Sequence, residues 1–519
     1  MSPGPRFSKS ATFGLHFDAW RWAVAIVVVV AWLAASLGRL HPLLVAAVLL
    51  GGLAIAFGTI NEIALTRWMR LWWSWRRGRN APAQPAAWSS ARDVVVDSGL
   101  SIGVLIENET LVTAIELVPD PCAPTVIADD EERTVNTVAL GRLAAMLRVN
   151  DLTLSSIDLI STGYRAAGRF ADRYQQIIGP VSAAARRDTW IVIRIDIEDN
   201  LAALARRGPT MEAAQRAAAV ACQRIANALA RDGIDARPAS ISQILSFNDM
   251  LQGHPLIADN WSHLASAAGH ACIYCADPTH ISEDITRWWT WPQATDVSTL
   301  IRLVPDSSGV RLGALVRYRS VTHPKLPPVP RLGSLYGVQK PMWAQFRVGS
   351  VPAEAPIPTA PLRDSNIAVP FGPTGQLIGF IGSAAVHMPL VGAVTVLCDA
   401  RLLLREVALR ATITGRPMTV VTETPELWSR IAECAVSGQV VDRIPEAIDG
   451  NTILVVDGEC PAALPDMTVL TTDSTRPADL QLVDVEIEPQ QYSFTLNTRL
   501  GLSARIRGIE THEERSLLI

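Results

Sequence analysis

Two apolar stretches lie almost back to back near the start of the chain, and they constrain everything that follows. Trp22 to Gly38 forms the first and Pro42 to Ile60 the second, and neither contains Lys, Arg, Asp or Glu. Each is about long enough to cross a hydrocarbon core of ~30 Å as a helix that rises ~1.5 Å per residue. The sequence therefore predicts a transmembrane hairpin, with helices at about 22-38 and 42-60, that tethers the remaining chain to a membrane.

The basic residues around the two stretches predict how the hairpin is oriented. Lys and Arg favour the cytoplasmic side of a membrane, and only Arg39 lies between the stretches. The basic residues that flank the stretches within residues 1–80 are Arg6, Lys9, Arg21, Arg67, Arg70, Arg76, Arg77 and Arg79. This distribution predicts a multi-pass protein of the bacterial inner (plasma) membrane, with its N-terminus and its C-terminal soluble region in the cytoplasm. A cleaved signal peptide is the alternative interpretation of the first stretch, but its long leader and the second span that follows disfavour it.

A basic, aromatic segment follows the second stretch within residues 61–79. Its tryptophans fall at helical spacing on one face, so they predict an exit helix that continues the second span. That face consists of Trp68, Leu71, Trp72 and Trp75, and the arginines Arg67, Arg70, Arg76 and Arg77 accompany it, mostly on other sides. Two interpretations stay open: an anchor at the lipid headgroups, or a docking face for another membrane subunit.

Charge is distributed unevenly along the chain. Residues 1–80 contain nine Lys and Arg against two Asp and Glu, a net charge of +7, whereas the remainder contains 37 against 48, a net of −11. A basic N-terminal region followed by an acidic remainder suits a protein at a membrane surface and argues against nucleic-acid binding. The acidic run from Asp129 to Glu132 is interpreted as a solvated loop.

The soluble region is predicted to be α/β or α+β, in two units. A linker covers 81-90, an α/β domain 91-320, a Pro-rich crossing segment 321-363 and a second small α/β unit 364-519. The clearest strand is predicted at Thr189 to Ile197, where isoleucines alternate with other residues, and the best helix at Thr210 to Asp232. In the second unit, Val394 to Cys398, Met418 to Val421 and Thr452 to Val456 predict short parallel strands.

The candidate chemical motifs are weak when their residues are compared with what the chemistry needs. Phe371 to Gly375 is glycine-rich but lacks the spacing and the Lys of a phosphate loop, so we interpret it as a turn. Asp457 and Glu459 at a strand end are interpreted as a polar turn. Cys272 and Cys275 lie in a predicted strand that would turn them to opposite faces, which disfavours a zinc or redox site with His270 and His280.

One alternative with chemistry stays open. Asp196 and Glu198 end the isoleucine-rich strand on the same side and could hold a divalent metal, as in nucleotide-sugar transferases. This would make the chain a metal-dependent, glycosyltransferase-like enzyme. Otherwise the sequence predicts no catalytic residues, no cofactor and no small-molecule substrate.

Layout and local sequence together resemble the EccE family, core membrane components of the mycobacterial type VII (ESX) secretion machinery. The resemblance covers nearly the whole chain: two N-terminal spans, a short basic aromatic exit and one long soluble region. The strings that support it are Ala114–Pro119, Pro124–Ile127, Ser161–Arg165, Tyr174–Gly179, Thr189–Val192, Arg224–Ala226 with Gly233–Asp235, Val369–Pro370, Gly382 and His387–Pro389.

The resemblance implies a structural subunit rather than an enzyme. EccE proteins assemble in the inner membrane with EccB, EccC and EccD, of which EccC is the ATPase, and support export of WXG-type substrates. The family supplies no catalytic residues to carry over. A membrane-anchored sensor or adaptor outside any secretion system is the remaining alternative.

Overall fold

A computed structural model describes the chain in segments. They are residues 13–15, 29, 58–60, 63–78, 90–96, 99–128, 131–349, 357–445, 447–459, 467–475, 477–484, 493–499, 501–508 and 511–518. The predicted spans at 22-38 and 42-60 lie almost entirely outside these residues. No helix within the described segments is both long and apolar enough to cross a membrane.

The exit helix is present, but it does not continue from the second stretch. Gly58–Ile60, at the end of the predicted second span, is a strand that pairs with Phe13–Leu15 and Ile63–Ala64. The helix begins after this pairing and covers Leu65–Gly78. Glycine followed by β-branched Thr59 and Ile60 has low helix propensity, which explains the interruption.

The first large sheet is antiparallel and contains 13 strands within the described segments. Along its main path the strands are Leu256–Asp259, Leu264–Ser266, Gly269–Ala276, Gly309–Ser320, Asp296–Asp306, Ser156–Tyr164, Arg186–Asp196, Thr110–Val118, Ser101–Glu107 and Ser90–Val95. Asp235–Pro238, Leu332–Ser334 and Ala360–Pro361 pair at the side of this path. The predicted isoleucine strand is confirmed within Arg186–Asp196, near the middle of the sheet.

Side chains along that strand point alternately to the two faces of the sheet, and both faces are buried. Ile191, Ile193 and Ile195 belong to the core under helix Met211–Arg231. Trp190 points to the other face, where it stacks on Phe247 with ring centroids 4.4 Å apart. The helices that cover the two faces each begin at a side-chain cap. Thr210 accepts a hydrogen bond from the N–H of Ala213, and Ser240 forms a capping box with Gln243.

The second large sheet is mixed and contains 12 strands within the described segments. Six adjacent strands are parallel: Gly438–Val441, Met418–Thr422, Ile453–Asp457, Thr468–Thr471, Val394–Cys398 and Leu480–Asp484. Antiparallel strands continue it: Ser493–Thr498, Ser503–Arg507, Gln376–Ile381, Ala384–Met388, Thr125–Ala128 and Glu131–Arg133. The three short strands predicted in this unit are confirmed.

Strand pairing crosses the boundary between the two units that the sequence predicts. Thr125–Ala128 and Glu131–Arg133, assigned from sequence to the first unit, extend the second sheet instead. Ala368–Pro370 pairs with Thr137–Ala139, from the earlier part of the chain, in a separate two-stranded sheet. The interpretation of the acidic run as a solvated loop is wrong for Glu132. Its side chain is 1 % exposed and lies 3.7 Å from Arg187, because the strand that carries it is covered by the first unit.

The remaining elements are short. The other α-helices are Leu140–Ala145, Ala171–Ile178, Leu201–Ala205, Ile241–Gln252, Ile281–Asp284, Gln339–Ala344, Arg401–Ala411, Ser429–Cys434 and His512–Leu518. Arg287–Trp289, Thr412–Thr414 and Pro425–Leu427 are 3-10 turns, and Arg148–Val149 pairs with Leu152–Thr153 in a small hairpin.

Stability is expected to fall in mild acid because of His387, which is buried in the second sheet. Burial lowers the pKa of His387 to about 4, although its bond to the Gly375 carbonyl, 3.3 Å long, works in the opposite direction. The unfolded chain then binds a proton more readily, since an ordinary histidine has a pKa of ~6.5. The resulting stability is complete above pH ~6.5 and is lost as the pH falls toward 4, by up to about 3 kcal/mol.

Urea unfolding of the full chain followed by tryptophan fluorescence at pH 7.5, 6 and 5 measures this loss. The variant His387→Gln should lose less stability between pH 7.5 and 5 than the wild type does. His263, whose pKa is also lowered, titrates equally in both proteins and so cancels in the comparison. Parallel pH curves for the two proteins would assign the acid sensitivity to other groups.

Candidate membrane-facing and partner-binding surface

The exit helix, Leu65–Gly78, is basic along its length. It contains no acidic residue, and Arg76 and Arg77 occupy its last turn, where positive charge interacts favourably with the helix dipole. Its surface is divided. Trp68, Leu71 and Trp75 are half-buried, whereas most of the other side chains are exposed.

Trp68 and Trp75 pack on the chain itself. The Trp68 ring lies 5.9 Å from that of Trp261 and 5.4 Å from that of Tyr336, while Trp75 meets Trp261 edge-on at 5.4 Å. We call Trp68, Trp75, Trp261 and Tyr336 the aromatic clamp. It holds the exit helix against the edge of the first sheet, since Trp261 lies in the connection between the edge strands Leu256–Asp259 and Leu264–Ser266.

A glycine makes the clamp possible. Gly337 has a φ of +71° and donates its N–H to the Trp261 carbonyl over 2.8 Å. A Cβ at this position would lie 2.4 Å from the Trp261 ring. Only glycine therefore allows the loop after Tyr336 to cross so close to the indole.

Beside the aromatic clamp, the exit helix carries a second aromatic surface, which faces outward. Trp72 is 40 % exposed and Trp73 is 52 % exposed, and their rings meet edge-on at 5.9 Å. The Arg76 guanidinium lies 5.1 Å from the Trp72 ring and that of Arg77 lies 5.3 Å from the Trp73 ring. We call Trp72, Trp73, Arg76 and Arg77 the outer face. Each cation–π pair combines positive charge with an apolar ring in one surface patch.

The structure thus divides the face that the sequence predicts. Trp68, Leu71 and Trp75 are half-buried and Trp72 is exposed, as are Arg67 and Arg70. Trp73 was missed. The i, i+4 spacing of Trp72 with Arg76 and of Trp73 with Arg77 is the signal that could have found it.

Three histidines lie beside the aromatic clamp. His263 stacks on His323 with ring centroids 4.2 Å apart and meets His270 at 4.8 Å. The Sγ of Cys272 is 3.3 Å from Nδ1 of His323. Burial, with the neighbouring imidazoles, lowers the pKa of His263 to about 4 and also lowers that of His323. Over the described part of the chain, no group of three His, Cys, Asp or Glu side chains has the arrangement that a metal ion needs.

The predicted placement of the cysteines is confirmed. Cys272 and Cys275 lie on one strand, and their side chains belong to the cores on opposite faces of the first sheet. His280 lies away from them and pairs with Asp277 over 3.2 Å.

The carboxylates at the strand ends make structural contacts. Asp196 accepts hydrogen bonds from the backbone N–H groups of Glu198 and Asp199, over 2.9 and 3.2 Å. Repulsion from Glu109 raises the pKa of Glu198. The Asp196 carboxylate therefore shapes the turn that leads to the helix Leu201–Ala205.

Asp457 is surrounded by hydrogen-bond donors. Its oxygens accept from Arg401, Thr422 and the indole N–H of Trp428, over 2.7, 3.0 and 2.8 Å.

The glycine-rich Phe371 to Gly375 segment lies at the junction of the two units, where the N–H of Gly375 donates to the Ala184 carbonyl over 3.0 Å.

Known proteins are similar to this chain both within the first unit and over most of its length. Residues 183–275 match the family described as "type VII ESX secretion system translocon, EccE". This stretch includes the helix Met211–Arg231 and Trp261 of the aromatic clamp. The ESX-1 secretion system protein EccE1 of Mycobacterium tuberculosis is 28 % identical over 365 residues, which is 66 % of this chain and 74 % of the relative.

Two further relatives agree. The ESX-1 secretion system protein EccE1 of Mycolicibacterium smegmatis is 28 % identical over 424 residues, 78 % of this chain and 83 % of the relative. The ESX-2 secretion system protein EccE2 of Mycobacterium tuberculosis is 25 % identical over 428 residues, 79 % of this chain and 74 % of the relative. These matches define the class of protein, a component of type VII (ESX) secretion systems. Within that class, the chain belongs to the EccE family.

Proposed function

We propose that this chain is a non-enzymatic structural subunit of the ESX membrane complex, where it supports assembly and export of WXG-type substrates. The observation that carries the proposal is the outer face of the exit helix. The aromatic clamp fixes one side of this helix on the first unit, and the adjoining exposed surface presents Trp72 and Trp73 at 40 % and 52 % exposure. Large exposed aromatic side chains on a rigid element are the residues that dominate protein interfaces.

The proposed location is the inner membrane, with both chain ends in the cytoplasm and EccB, EccC and EccD as partners. The apolar stretches before the exit helix and the arginines around them support this topology. In the proposed arrangement the outer face lies at the level where the chain leaves the lipid, so it contacts neighbouring subunits and headgroups together. The structural contacts of Asp196 and Asp457 support a role without catalysis.

The test is a tagged pull-down of the full chain from membranes in mild detergent, resolved on a native gel with its bands identified. Wild type is expected to co-migrate with EccB, EccC and EccD in one large complex. The double variant Trp72→Ala and Trp73→Ala should lower the amount in that complex about tenfold or more, since interface tryptophans commonly contribute over ~2 kcal/mol. Its thermal unfolding should match that of wild type, because both side chains are exposed.

The control replaces two exposed apolar residues elsewhere. Ile257 and Leu326 are 72 % and 61 % exposed, and their double alanine variant should assemble as wild type does. Undiminished assembly of the tryptophan variant would remove the outer face from the proposal. A small wild-type species without partners would replace the subunit by a sensor or adaptor.

A further inference from the structure

A groove runs along the exposed side of the helix Met211–Arg231. The hairpin of Arg148–Val149 and Leu152–Thr153 lies beside this helix and leaves a cavity of about 230 Å³ between them. Its floor is apolar and includes Val149, Leu152 and Val220. These elements belong to the first unit and are distinct from the exit helix on which the proposed function rests.

Arginines surround this apolar floor. Arg207, Arg216 and Arg224 line the cavity, and Arg216 and Arg224 are exposed. Within the described segments, neither of these two forms an ion pair. We call the cavity and its three arginines the basic groove.

The positive charge around the basic groove is only partly neutralised by nearby carboxylates. Asp151 is shared by Arg206 and Arg207, which donate to it over 2.7 and 2.5 Å and hold its pKa well below the ordinary value. The acidic residue at the start of the helix, Glu212, faces Arg92 at 3.3 Å instead. The patch is therefore positive, although residues 81–519 carry a net charge of −11. A local sign opposite to that of the body attracts an acidic ligand selectively.

The size of the cavity indicates what kind of ligand it accepts. Sites for small molecules and cofactors usually enclose ~300–1,000 Å³, more than this cavity does. A single large apolar side chain is a better match, and such an anchor in a pocket with a polar rim is typical of protein interfaces. A bilayer surface would need an apolar surface that protrudes, whereas here the apolar atoms form the floor of a concave site.

The spacing of the arginines further restricts which ligands fit the groove. Arg216 and Arg224 are eight residues apart on one helix, about 12 Å along its axis at ~1.5 Å per residue. Two carboxylates seven or eight residues apart on a second helix have the same separation. An apolar side chain midway between them would then lie over Val220, which is itself midway between the arginines.

We propose that the basic groove is a docking site for an acidic amphipathic helix of a partner protein. The helix inserts one Leu or Phe side chain between Val149, Leu152 and Val220. Glutamates or aspartates on either side of that residue pair with Arg216 and Arg224. This interaction is additional to the contacts proposed for the outer face and uses a different part of the molecule.

The test measures the anisotropy of a fluorescein-labelled helical peptide with the purified full chain in detergent. The peptide carries a central Leu with Glu four residues before and four residues after it. Wild type is expected to bind it, more weakly as salt rises. The double variant Arg216→Glu and Arg224→Glu should weaken binding about tenfold or more, whereas Arg443→Glu, at an arginine whose side chain is 86 % exposed, should leave it unchanged.

A second variant and two altered peptides test the apolar part. Val220→Trp fills the groove and should weaken binding of the Leu peptide, with thermal unfolding as a check that the chain still folds. Peptides with Ser in place of Leu, or Lys in place of Glu, should bind at least tenfold more weakly. Equal binding of the Leu and Ser peptides would overturn the proposal. It would also be overturned if the double arginine variant lost binding to vesicles of phosphatidylglycerol and phosphatidylcholine but bound the peptide normally.

Discussion

Replacing Asp158 by asparagine is expected to lower the free energy of unfolding by about 3–5 kcal/mol. Asp158 is fully buried on the central strand Ser156–Tyr164, where it pairs with Arg194 and Arg302 from the two neighbouring strands. Burial raises the pKa of its carboxyl, but the two guanidiniums outweigh burial and hold the pKa below its ordinary value. Asparagine would leave two buried cations without the carboxylate that contacts both of them. Urea unfolding of the full chain at pH 7.5 measures the loss.

A neighbouring aspartate provides the matched control. Asp188 pairs with Arg186 over 2.8 Å, but its side chain is 32 % exposed, so Asp188→Asn should cost no more than about 1 kcal/mol. The triple replacement of Asp158, Arg194 and Arg302 by apolar residues of similar volume should restore much of the stability, because it buries no charge. A loss for Asp158→Asn as small as that for Asp188→Asn would show that water or a shift of the strands compensates the two arginines.

Gly375→Ala is expected to destabilise the chain by about 3 kcal/mol or more. The residue has a φ of +87°, and a Cβ would lie 1.9 Å from the Met388 carbonyl oxygen. The backbone strain of an L-residue in this region costs ~1–2 kcal/mol, and the collision with a strand backbone adds to it. The shift would also disturb the hydrogen bond from Gly375 to the Ala184 carbonyl, which joins the two units.

The variant at Gly382 separates the cost of backbone strain from the cost of a steric collision. It has a φ of +62°, but a Cβ there would meet nothing within 4 Å. Gly382→Ala should therefore cost only about 1 kcal/mol. If the two alanine variants unfolded at the same urea concentration, the close approach at Met388 would have no energetic consequence. The comparison also tests the interpretation of Phe371 to Gly375 as a turn.

Local pattern in the sequence was sufficient for the regular elements. The alternation at Ile191, Ile193 and Ile195 predicted a strand with one apolar face, and Thr210 predicted where the long helix begins. These signals succeed because a strand or helix is formed by neighbouring residues, whose periodicity reports which of them share a face.

Periodicity did not predict what each face would contact. Trp68 and Trp75 have the spacing of a membrane-facing stripe, but their partner Trp261 lies almost two hundred residues away in the sequence. The same limit applies to Glu132, which looks solvated in an acidic run until the distant Arg187 is placed beside it. The basic groove was also missed, since it requires the hairpin and the long helix to be brought together.

The strand pairing that crosses between the two units has a mechanical consequence. Thr125–Ala128 and Glu131–Arg133 are held in the second sheet by backbone hydrogen bonds, and Ala368–Pro370 is held by Thr137–Ala139. A load applied to one unit would therefore be transmitted to the other as shear across these ladders, and not taken up by a slack tether. Cutting the chain between residues 321 and 363 would not yield two autonomous halves, because each half would retain strands whose partners lie in the other.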